Sequence, residues 1–247
     1  MNNELRIIAI PSIPLIKKDD KLGEIILNAC RKNKIEIDEN DVLVIVQKVI
    51  SKAEGATVNL NDIKPSSEAI ELSRKTGRDA ELCQVYIDES RRILGTKGKV
   101  IITEHKLGYI CTSAGVDRSN VGPRDERIVS LLPKNPDKSA RDIREYIKKQ
   151  TDNKIAVIIS DSFGKPDREG CIGVAIGIAG IAPIEIQQKK DLFGNEKNNT
   201  IARIDELAAA ASILVGQSDE KFPAVLIKGA EYTIDEQADI KKILIPQ

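Results

Sequence analysis

The sequence contains few of the side chains that form the commonest catalytic and zinc centres. Its 247 residues include one histidine, no tryptophan and four cysteines. The cysteines lie far apart without a CxxC pair, which argues against a structural zinc site and a disulfide framework. The single histidine, His105, has no nucleophile motif beside it, so we expect it on the surface or in a turn. Any metal should therefore be a hard cation held by oxygen, such as Mg²⁺ or Mn²⁺.

The sequence also lacks an excess of either charge and a long apolar run. Its 38 basic and 38 acidic side chains give a formal net charge of zero, which does not suit a nucleic-acid-binding protein. The longest apolar stretch, residues 172–184, is too short for a membrane span and contains three glycines. The first ten residues lack the features of a signal peptide. These absences predict a cytoplasmic protein with neither a membrane nor a nucleic acid partner.

Two common nucleotide-binding motifs are missing as well. No GxxxxGK[ST] stretch occurs, so a P-loop is not supported. The glycines at positions 173, 177 and 180 follow the spacing GxxxGxxG rather than GxGxxG, which makes a Rossmann dinucleotide site a weak hypothesis. We expect these glycines to let a strand and a neighbouring helix approach closely.

The order of apolar patterns predicts an α+β (mixed α/β) fold, in which helices flank mixed sheets. We expect a single domain over residues 1–247, built as two intimately associated lobes. Residues 20–33 should form a helix capped by Asp19 or Asp20, residues 51–58 a turn-like segment, and residues 160–170 a turn. The other predicted helices cover 66–77, 79–94, 137–151 and 200–216, the strands cover 5–10, 41–50, 154–159 and 223–229, and a hairpin covers 99–113.

Three polar segments, residues 114–120, 160–170 and 215–222, follow apolar strands or helices. Asp117 and Asp161 each come just after an apolar run. Together with the Ser162 hydroxyl and the Gln217 amide they would form an oxygen-rich site for divalent cations, which usually bridge nucleotide phosphates. Each aspartate alone is more often a cap or turn residue. The prediction therefore requires the three segments to converge.

Two earlier segments suit a nucleotide. Residues 13–16 are apolar and could line a base pocket, and residues 47–55 contain Lys52, which could bind phosphate if Glu54 holds its ammonium group. The alternative for Lys52 is a solvated lysine in a turn.

Taken in order, these segments resemble the coenzyme F420-0:γ-glutamyl ligase family. The resemblance covers Ile13 to about Gly229, and the chain looks like the stand-alone, archaeal-type form because it is too short for the fused nitroreductase-like domain of many bacterial relatives. The similar motifs are "SKAEG", "AGVDRSN", "SDSFGKPDREG" with "GVAIGIAG", and "DELAAAASILVGQ" with "PAVLIKG".

The resemblance implies a GTP-dependent ligase that adds L-glutamate in γ-linkage to the deazaflavin precursor F420-0, and to F420-1, through an acyl phosphate. It also implies a homodimer, two Mg²⁺ or Mn²⁺ ions and K⁺. One divalent ion would be held by Asp117 and Asp161, and a second by Ser162 and Gln217. The residues implied to contact GTP are Ile13, Pro14, Leu15, Ile16, Gln47, Lys48, Lys52, Asn120, Val215, Gly216, Gln217, Ser218 and Asp219.

In this interpretation Lys52 offsets the negative charge of the phosphates. Our own hypothesis, separate from the resemblance, is that Arg168 binds a carboxylate or phosphate group of the substrate. Archaeal members commonly have Ser-Thr where this chain has Gln47-Lys48, so this chain departs from the family pattern at these two positions. Two alternative functions also stay open: a ligase or kinase that acts on a different acceptor, and a non-catalytic nucleotide-binding protein.

Overall fold

The central sheet is mixed. The computed structural model describes residues 4–122, 126–164, 169–216 and 220–245. Only the neighbours β2 (Val42–Val46) and β8 (Ala156–Gly164) run parallel, and every other pair in this sheet is antiparallel. Strand β2 is apolar throughout and almost entirely buried, as expected for a strand covered on both faces. The five strands lie in the order β1 (Arg6–Ala9), β12 (Ala224–Lys228), β2 (Val42–Val46), β8 (Ala156–Gly164) and β9 (Cys171–Ala179).

Four helices surround this sheet: α1 (Leu22–Lys32), α2 (Gln47–Glu54), α5 (Pro136–Thr151) and α6 (Arg203–Val215). Helices α5 and α6 both pack on β9. A Cβ added to Gly173 would lie 2.4 Å from the carbonyl oxygen of Ala208 in α6, and one added to Gly177 would lie 2.3 Å from Cβ of Pro136 in α5. The predicted role of these glycines, close strand–helix approach, is therefore confirmed.

The remaining elements form smaller sheets and a helix pair. Strands β4, β5 and β6 form an antiparallel sheet, β3 pairs with β7, and β10 pairs with β11. The bounds of these elements are β3 (Thr57–Asn59), α3 (Ser67–Thr76), α4 (Ala80–Asp88), β4 (Ser90–Lys97), β5 (Val100–His105), β6 (Ile110–Thr112), β7 (Ile128–Ser130), β10 (Glu185–Lys190) and β11 (Glu196–Ile201).

The buried apolar side chains form two clusters. The larger one surrounds the five-stranded sheet, and the smaller one includes Leu60, Leu82, Tyr86 and Ile101 beneath α3 and α4. Helices and mixed sheets confirm the predicted α+β class, while the division into two lobes stays a prediction. Within the described residues, no helix is both long and apolar enough to cross a membrane.

Several predicted element boundaries were wrong because tertiary pairing overrides local pattern. The strand predicted over residues 41–50 ends at Val46, because helix α2 takes residues 47–54. The predicted turn-like segment, residues 51–58, is therefore divided between the end of α2 and the start of β3. The helix predicted over residues 79–94 ends at Asp88, since Ser90–Lys97 pairs with β5. Residues 161–164 are not a turn but the end of β8, where they pair with β9.

One prediction about a single side chain was wrong, and another, for His105, is confirmed for the turn but not for the surface. Helix α1 begins after Lys21, and the carboxylate of Asp20 instead accepts the N–H of Lys17 at 2.7 Å. His105 lies at the predicted hairpin turn but is buried rather than on the surface. Its Nδ1 accepts the N–H of Leu107, and its Nε2 lies 3.8 Å from the carboxylate of Glu89. The histidine thus stabilises the hairpin turn from the inside.

Candidate active site

The candidate site lies at the carboxyl ends of the two parallel strands. Strands β2 and β8 run in register, with Val46 opposite Ser160, so Gln47 and Asp161 come next on neighbouring strands. Ligands of open α/β sheets usually bind at this edge, because the chain leaves the sheet there and presents polar groups. Helix α2 begins at Gln47, immediately after β2.

Asp117 reaches the same edge from a loop that follows β6. Its N–H donates to the carbonyl oxygen of Ser130 at 3.0 Å, and the N–H of Ser130 donates back at 2.8 Å, which fixes the loop to the end of β7. The Oδ1 atom of Asp117 accepts the N–H of Ser119 at 2.6 Å. The aspartate is thus held by its backbone and by one carboxylate oxygen.

Lys48, in the first turn of α2, contacts this loop directly. Its Nζ lies 2.8 Å from Oδ2 of Asp117 and donates to Oγ of Ser119 at 2.9 Å. Asp161 belongs to the same electrostatic cluster but forms no ion pair within the described part of the chain. The cluster therefore contains two carboxylates and one directly paired cation.

The two aspartates respond differently to this environment. The pKa of Asp161 is raised to about 6, mainly by burial and also by the negative charge of Asp117, although hydrogen bonds from Ser162 and Gln47 and the charge of Lys48 oppose the rise. Burial also acts to raise the pKa of Asp117, but the hydrogen bonds from Lys48 and Ser119 outweigh it, so that pKa is lowered. Asp161 is the carboxylate whose charge is poorly compensated.

The oxygen donors of this cluster suit Mg²⁺ or Mn²⁺ bound together with phosphate. These ions are commonly held by one or two carboxylates, with waters and substrate phosphates completing the coordination. Among the described residues, no group of three or more His, Cys, Asp or Glu side chains could hold a metal by itself. Asp117 and Asp161 would hold the first ion, and Ser162 follows Asp161 directly along β8. Gln217, the other predicted ligand of a second ion, lies outside the described residues.

A basic pocket adjoins the cluster one helical turn away. Lys52 lies four residues after Lys48, on the same side of α2. It lines a cavity of about 380 Å³ together with Ile16, Lys17, Lys18, Gly55, Thr57 and Val121. The pKa of Lys52 is lowered by burial and by the neighbouring charge of Lys48, which makes an anionic ligand electrostatically favourable there.

The predicted base-binding segment lies beside this pocket. Ile16 is buried, Ile13 packs partly into the main core, and Leu15 is 87% exposed. The N–H of Asp19 donates to the carbonyl oxygen of Ala53, which attaches the segment to the end of α2. Val121, which also lines the pocket, follows the predicted contact residue Asn120. The fold therefore brings residues 13–16, Lys52 and the Asn120 loop together.

The end of α6 lies over β8, which carries Asp161, and over its neighbour β9. A Cβ added to Gly173, the strand partner of Ser162, would lie 3.0 Å from Cβ of Ser212. Helix α6 ends at Val215, and Gly216 follows with a φ of 69°, as the sequence predicted for a terminating glycine. Arg168 and the predicted contact residues Gln217, Ser218 and Asp219 lie outside the described residues.

Sequence reasoning missed two cationic side chains, the ion pair of a third and the true partners of one anion. Lys48 was predicted as a nucleotide contact, but nothing in the sequence signalled that it would pair with Asp117. Lys17 and Lys18, which join Lys52 in one pocket, were not predicted. Glu54 does not hold Lys52 but accepts the N–H of Lys134 and the hydroxyl of Ser139. The run of two lysines after residues 13–16 was the one available signal, since it follows a proposed ligand-binding segment.

Carboxylates and lysines beside a basic pocket define a protein suited to anionic ligands such as phosphates and carboxylates. Comparison with known proteins gives a more specific result, because the F420-0:γ-glutamyl ligase family model matches residues 11–229. The chain belongs to this family, and it is therefore a ligase.

Similar proteins cover most of the chain. The coenzyme F420:L-glutamate ligase of Methanothermobacter thermautotrophicus is 37% identical over 246 residues, which make up 98% of this chain and 96% of the relative. The enzyme of the same name from Methanocaldococcus jannaschii is 45% identical over 196 residues, or 78% of this chain and 77% of the relative. That of Methanococcus maripaludis is 43% identical over 228 residues, or 91% and 88%.

Proposed function

We propose that this ligase joins L-glutamate in γ-linkage to the coenzyme precursor F420-0, and then to F420-1, with GTP as the energy source. The relatives described above carry the name of this reaction, coenzyme F420:L-glutamate ligase. The observation that carries the proposal is that one helix, α2, serves both parts of the site. It places Lys48 at the carboxylate pair and Lys52 in the basic pocket. A triphosphate and an acceptor carboxylate both need such an arrangement of charge.

The reaction would proceed through an acyl phosphate. A carboxylate oxygen of the precursor attacks the γ-phosphorus of GTP, and GDP leaves. The amine of glutamate then attacks the acyl carbon, and inorganic phosphate leaves as the amide bond forms. Phosphoryl transfer depends mainly on alignment and charge neutralisation rather than on a protein nucleophile, which agrees with a site made of lysines and carboxylates.

Each residue of the site has a role in this proposal. Lys52 binds phosphate oxygens, and Ile16 with its neighbours in residues 13–16 contacts the nucleotide. Asp117 and Asp161 would hold a divalent cation, which supplies positive charge to the phosphates when it is bound. Ser162 and Gln217 are proposed for a second cation. The role of Arg168 as a substrate anchor stays a prediction, as does the K⁺ requirement.

Mass spectrometry of a reaction mixture tests the function directly. The protein is incubated with F420-0, GTP, Mn²⁺ and L-glutamate, and products heavier by glutamyl units are expected together with GDP and phosphate. Consumption of GTP without glutamyl products would point to a different acceptor, and no reaction at all would favour a nucleotide-binding protein. ATP in place of GTP serves as the control for nucleotide choice.

A homodimer in the cytoplasm is part of the same proposal. The hairpin formed by β10 and β11 carries strongly exposed apolar side chains, Ile186, Leu192 and Phe193, which a second copy of the chain would cover. Light scattering should report twice the monomer mass, and polar substitution of Leu192 and Phe193 should lower it if this surface is used.

A further inference from the structure

The paired state of Asp117 has a consequence for cation binding. Both of its carboxylate oxygens already have partners: Oδ1 accepts the N–H of Ser119 at 2.6 Å, and Oδ2 is paired with Lys48 at 2.8 Å. A divalent cation that used Asp117 would have to approach one of these oxygens within about 2.0–2.6 Å. The partner on that oxygen must then move or share it.

Lys48 is the partner that can move. The N–H of Ser119 is fixed by the loop backbone, whereas the ammonium group stands at the end of a flexible four-carbon side chain. Its second partner, the hydroxyl of Ser119, lies on the same loop at 2.9 Å. The side chain is also 23% exposed, so it has a path away from the carboxylate.

Electrostatics oppose simultaneous binding. An ammonium group and a divalent cation on the same carboxylate oxygen would lie within roughly 5 Å of each other, where like charges repel appreciably in a partly buried site. We propose that Lys48 is an internal counter-ion that competes with the divalent cation for Asp117. This inference rests on the proposed metal-binding role of Asp117 and adds a residue that sets the affinity of that site.

Displacement would leave the ammonium group near the substrate. Lys48 and Lys52 lie on one side of α2, and Lys52 faces the basic pocket. When a cation takes over Asp117, Lys48 can swing toward the anionic ligand in that pocket. The same residue would thus hold the carboxylate before the cation binds and supply charge to the phosphates afterwards.

The test is a titration of the metal-free protein with Mn²⁺ at neutral pH, without nucleotide, in which electron paramagnetic resonance measures free Mn²⁺. Lys48→Gln should bind Mn²⁺ about fivefold more tightly than the wild type, because a partly exposed ion pair no longer competes. Lys48→Met should behave in the same way, and Lys48→Arg, which keeps the charge, should stay close to the wild type.

A matched control is available in the same sheet. Lys228 also pairs with aspartates, Asp38 and Asp41, but not with the proposed cation ligands. Lys228→Gln should therefore leave Mn²⁺ affinity unchanged. Asp161→Asn should weaken binding in both the wild-type and the Lys48→Gln background, which assigns the titration to this cluster.

The inference is overturned if Lys48→Gln and Lys48→Met, both folded by circular dichroism, bind Mn²⁺ equally or more weakly than the wild type. The titration requires neither GTP nor the acceptor, so it is independent of the ligase assay. If the wild-type protein ligates glutamate but the Lys48 variants bind Mn²⁺ with unaltered affinity, the inference is contradicted and the proposed function is not. Tighter Mn²⁺ binding by the variants, together with no glutamate ligation by the wild-type protein, would contradict the proposed function alone.

Discussion

Two charge clusters of the same composition lie at opposite ends of strand β2. Each contains two aspartates and one lysine. Asp41 directly precedes the strand, whereas Gln47 and Lys48 directly follow it. The cluster at the amino end consists of Asp38, Asp41 and Lys228, and the cluster at the carboxyl end consists of Lys48, Asp117 and Asp161.

The amino-end cluster is closed. The Nζ of Lys228 lies 2.6 Å from the carboxylate of Asp38 and 2.9 Å from that of Asp41, which also accepts the N–H of Asp38. Burial acts to lower the pKa of Lys228, but the hydrogen bonds to both carboxylates outweigh it, so that the pKa is raised. One lysine thus serves both aspartates, and the arrangement stabilises the fold.

The carboxyl-end cluster is open. Lys48 pairs with Asp117, while Asp161 is left with a pKa of about 6 because burial and the neighbouring carboxylate disfavour its charge. Composition therefore does not separate a structural cluster from a functional one. The distinction depends on whether the lysine reaches both carboxylates, since uncompensated charge is typical of ligand-binding sites.

The largest difference between the clusters should appear in activity. Asp161→Asn should reduce glutamate addition to F420-0 at least about 100-fold, because the site loses the carboxylate proposed to hold a cation at the phosphates. Asp38→Asn, which alters the closed cluster, should retain most of the activity. Mass spectrometry of glutamyl products measures both. Near-normal turnover by folded Asp161→Asn protein would contradict the assignment.

The sequence was sufficient to predict the fold class and four of the five strands of the central sheet. Continuous β-branched runs such as Val42–Val46 and the glycines at positions 173 and 177 carry strong local signals. It was not sufficient for the segment at Asp161–Gly164, which has turn-forming residues but is held in β8 by pairing with β9. The partners of these residues lie in another strand, at Cys171–Val174, and such pairing is not encoded in local propensity.

For the candidate site, the sequence indicated the participants better than their contacts. Asp117 and Asp161 were predicted to converge, and the structure places them in one electrostatic cluster. The ion pair of Lys48 with Asp117 joins residues 69 positions apart and depends on where α2 begins. That start was obscured because Val49 and Ile50 resume the apolar pattern of β2 after Gln47 and Lys48. Lys228 was likewise invisible as a structural residue, since its aspartate partners lie near the other end of the chain.

The second-largest effect should be on stability, and it should occur in the closed cluster. Lys228→Met should lower the free energy of unfolding by about 2 kcal/mol, because Asp41 is buried and would lose its cation. Urea unfolding followed by circular dichroism measures the change, and the ligase assay should show little loss of activity in the folded fraction. An unchanged unfolding midpoint would show that the amino-end cluster is not structural.

A smaller effect should appear in the pH dependence of stability. The pKa of Asp161 in the fold, about 6, exceeds the value of about 3.9 in an unfolded chain. The protonated carboxyl of Asp161 therefore stabilises the fold at low pH, and this stabilisation is lost as the pH rises through 6. In the presence of a chelator, raising the pH from 4 to 7 should therefore increase the stability of Asp161→Asn relative to the wild type. The expected increase in the difference is about 1–2 kcal/mol, after allowance for partial solvent exposure.

Thermal or urea unfolding across this pH range measures that gain. Ser162→Ala, a neighbouring substitution without a titrating group, should differ from the wild type by an amount that does not depend on pH. If the stability difference between Asp161→Asn and the wild type is also constant with pH, the fold does not raise the pKa of Asp161. The charge of Asp161 would then be compensated, as in the amino-end cluster.

The smallest effect expected is the stability change of Lys48→Gln. The pair of Lys48 with Asp117 is partly exposed, with 23% and 36% of the two side chains accessible, and such pairs contribute at most about 1 kcal/mol. Asp117 would keep the N–H of Ser119 and its backbone pairing with Ser130. Urea unfolding should therefore show a loss of about 0.5 kcal/mol, well below that of Lys228→Met. A loss as large as that of Lys228→Met would mean that the two lysines have the same structural role, and that Lys48 is too firmly held to yield Asp117 to a cation.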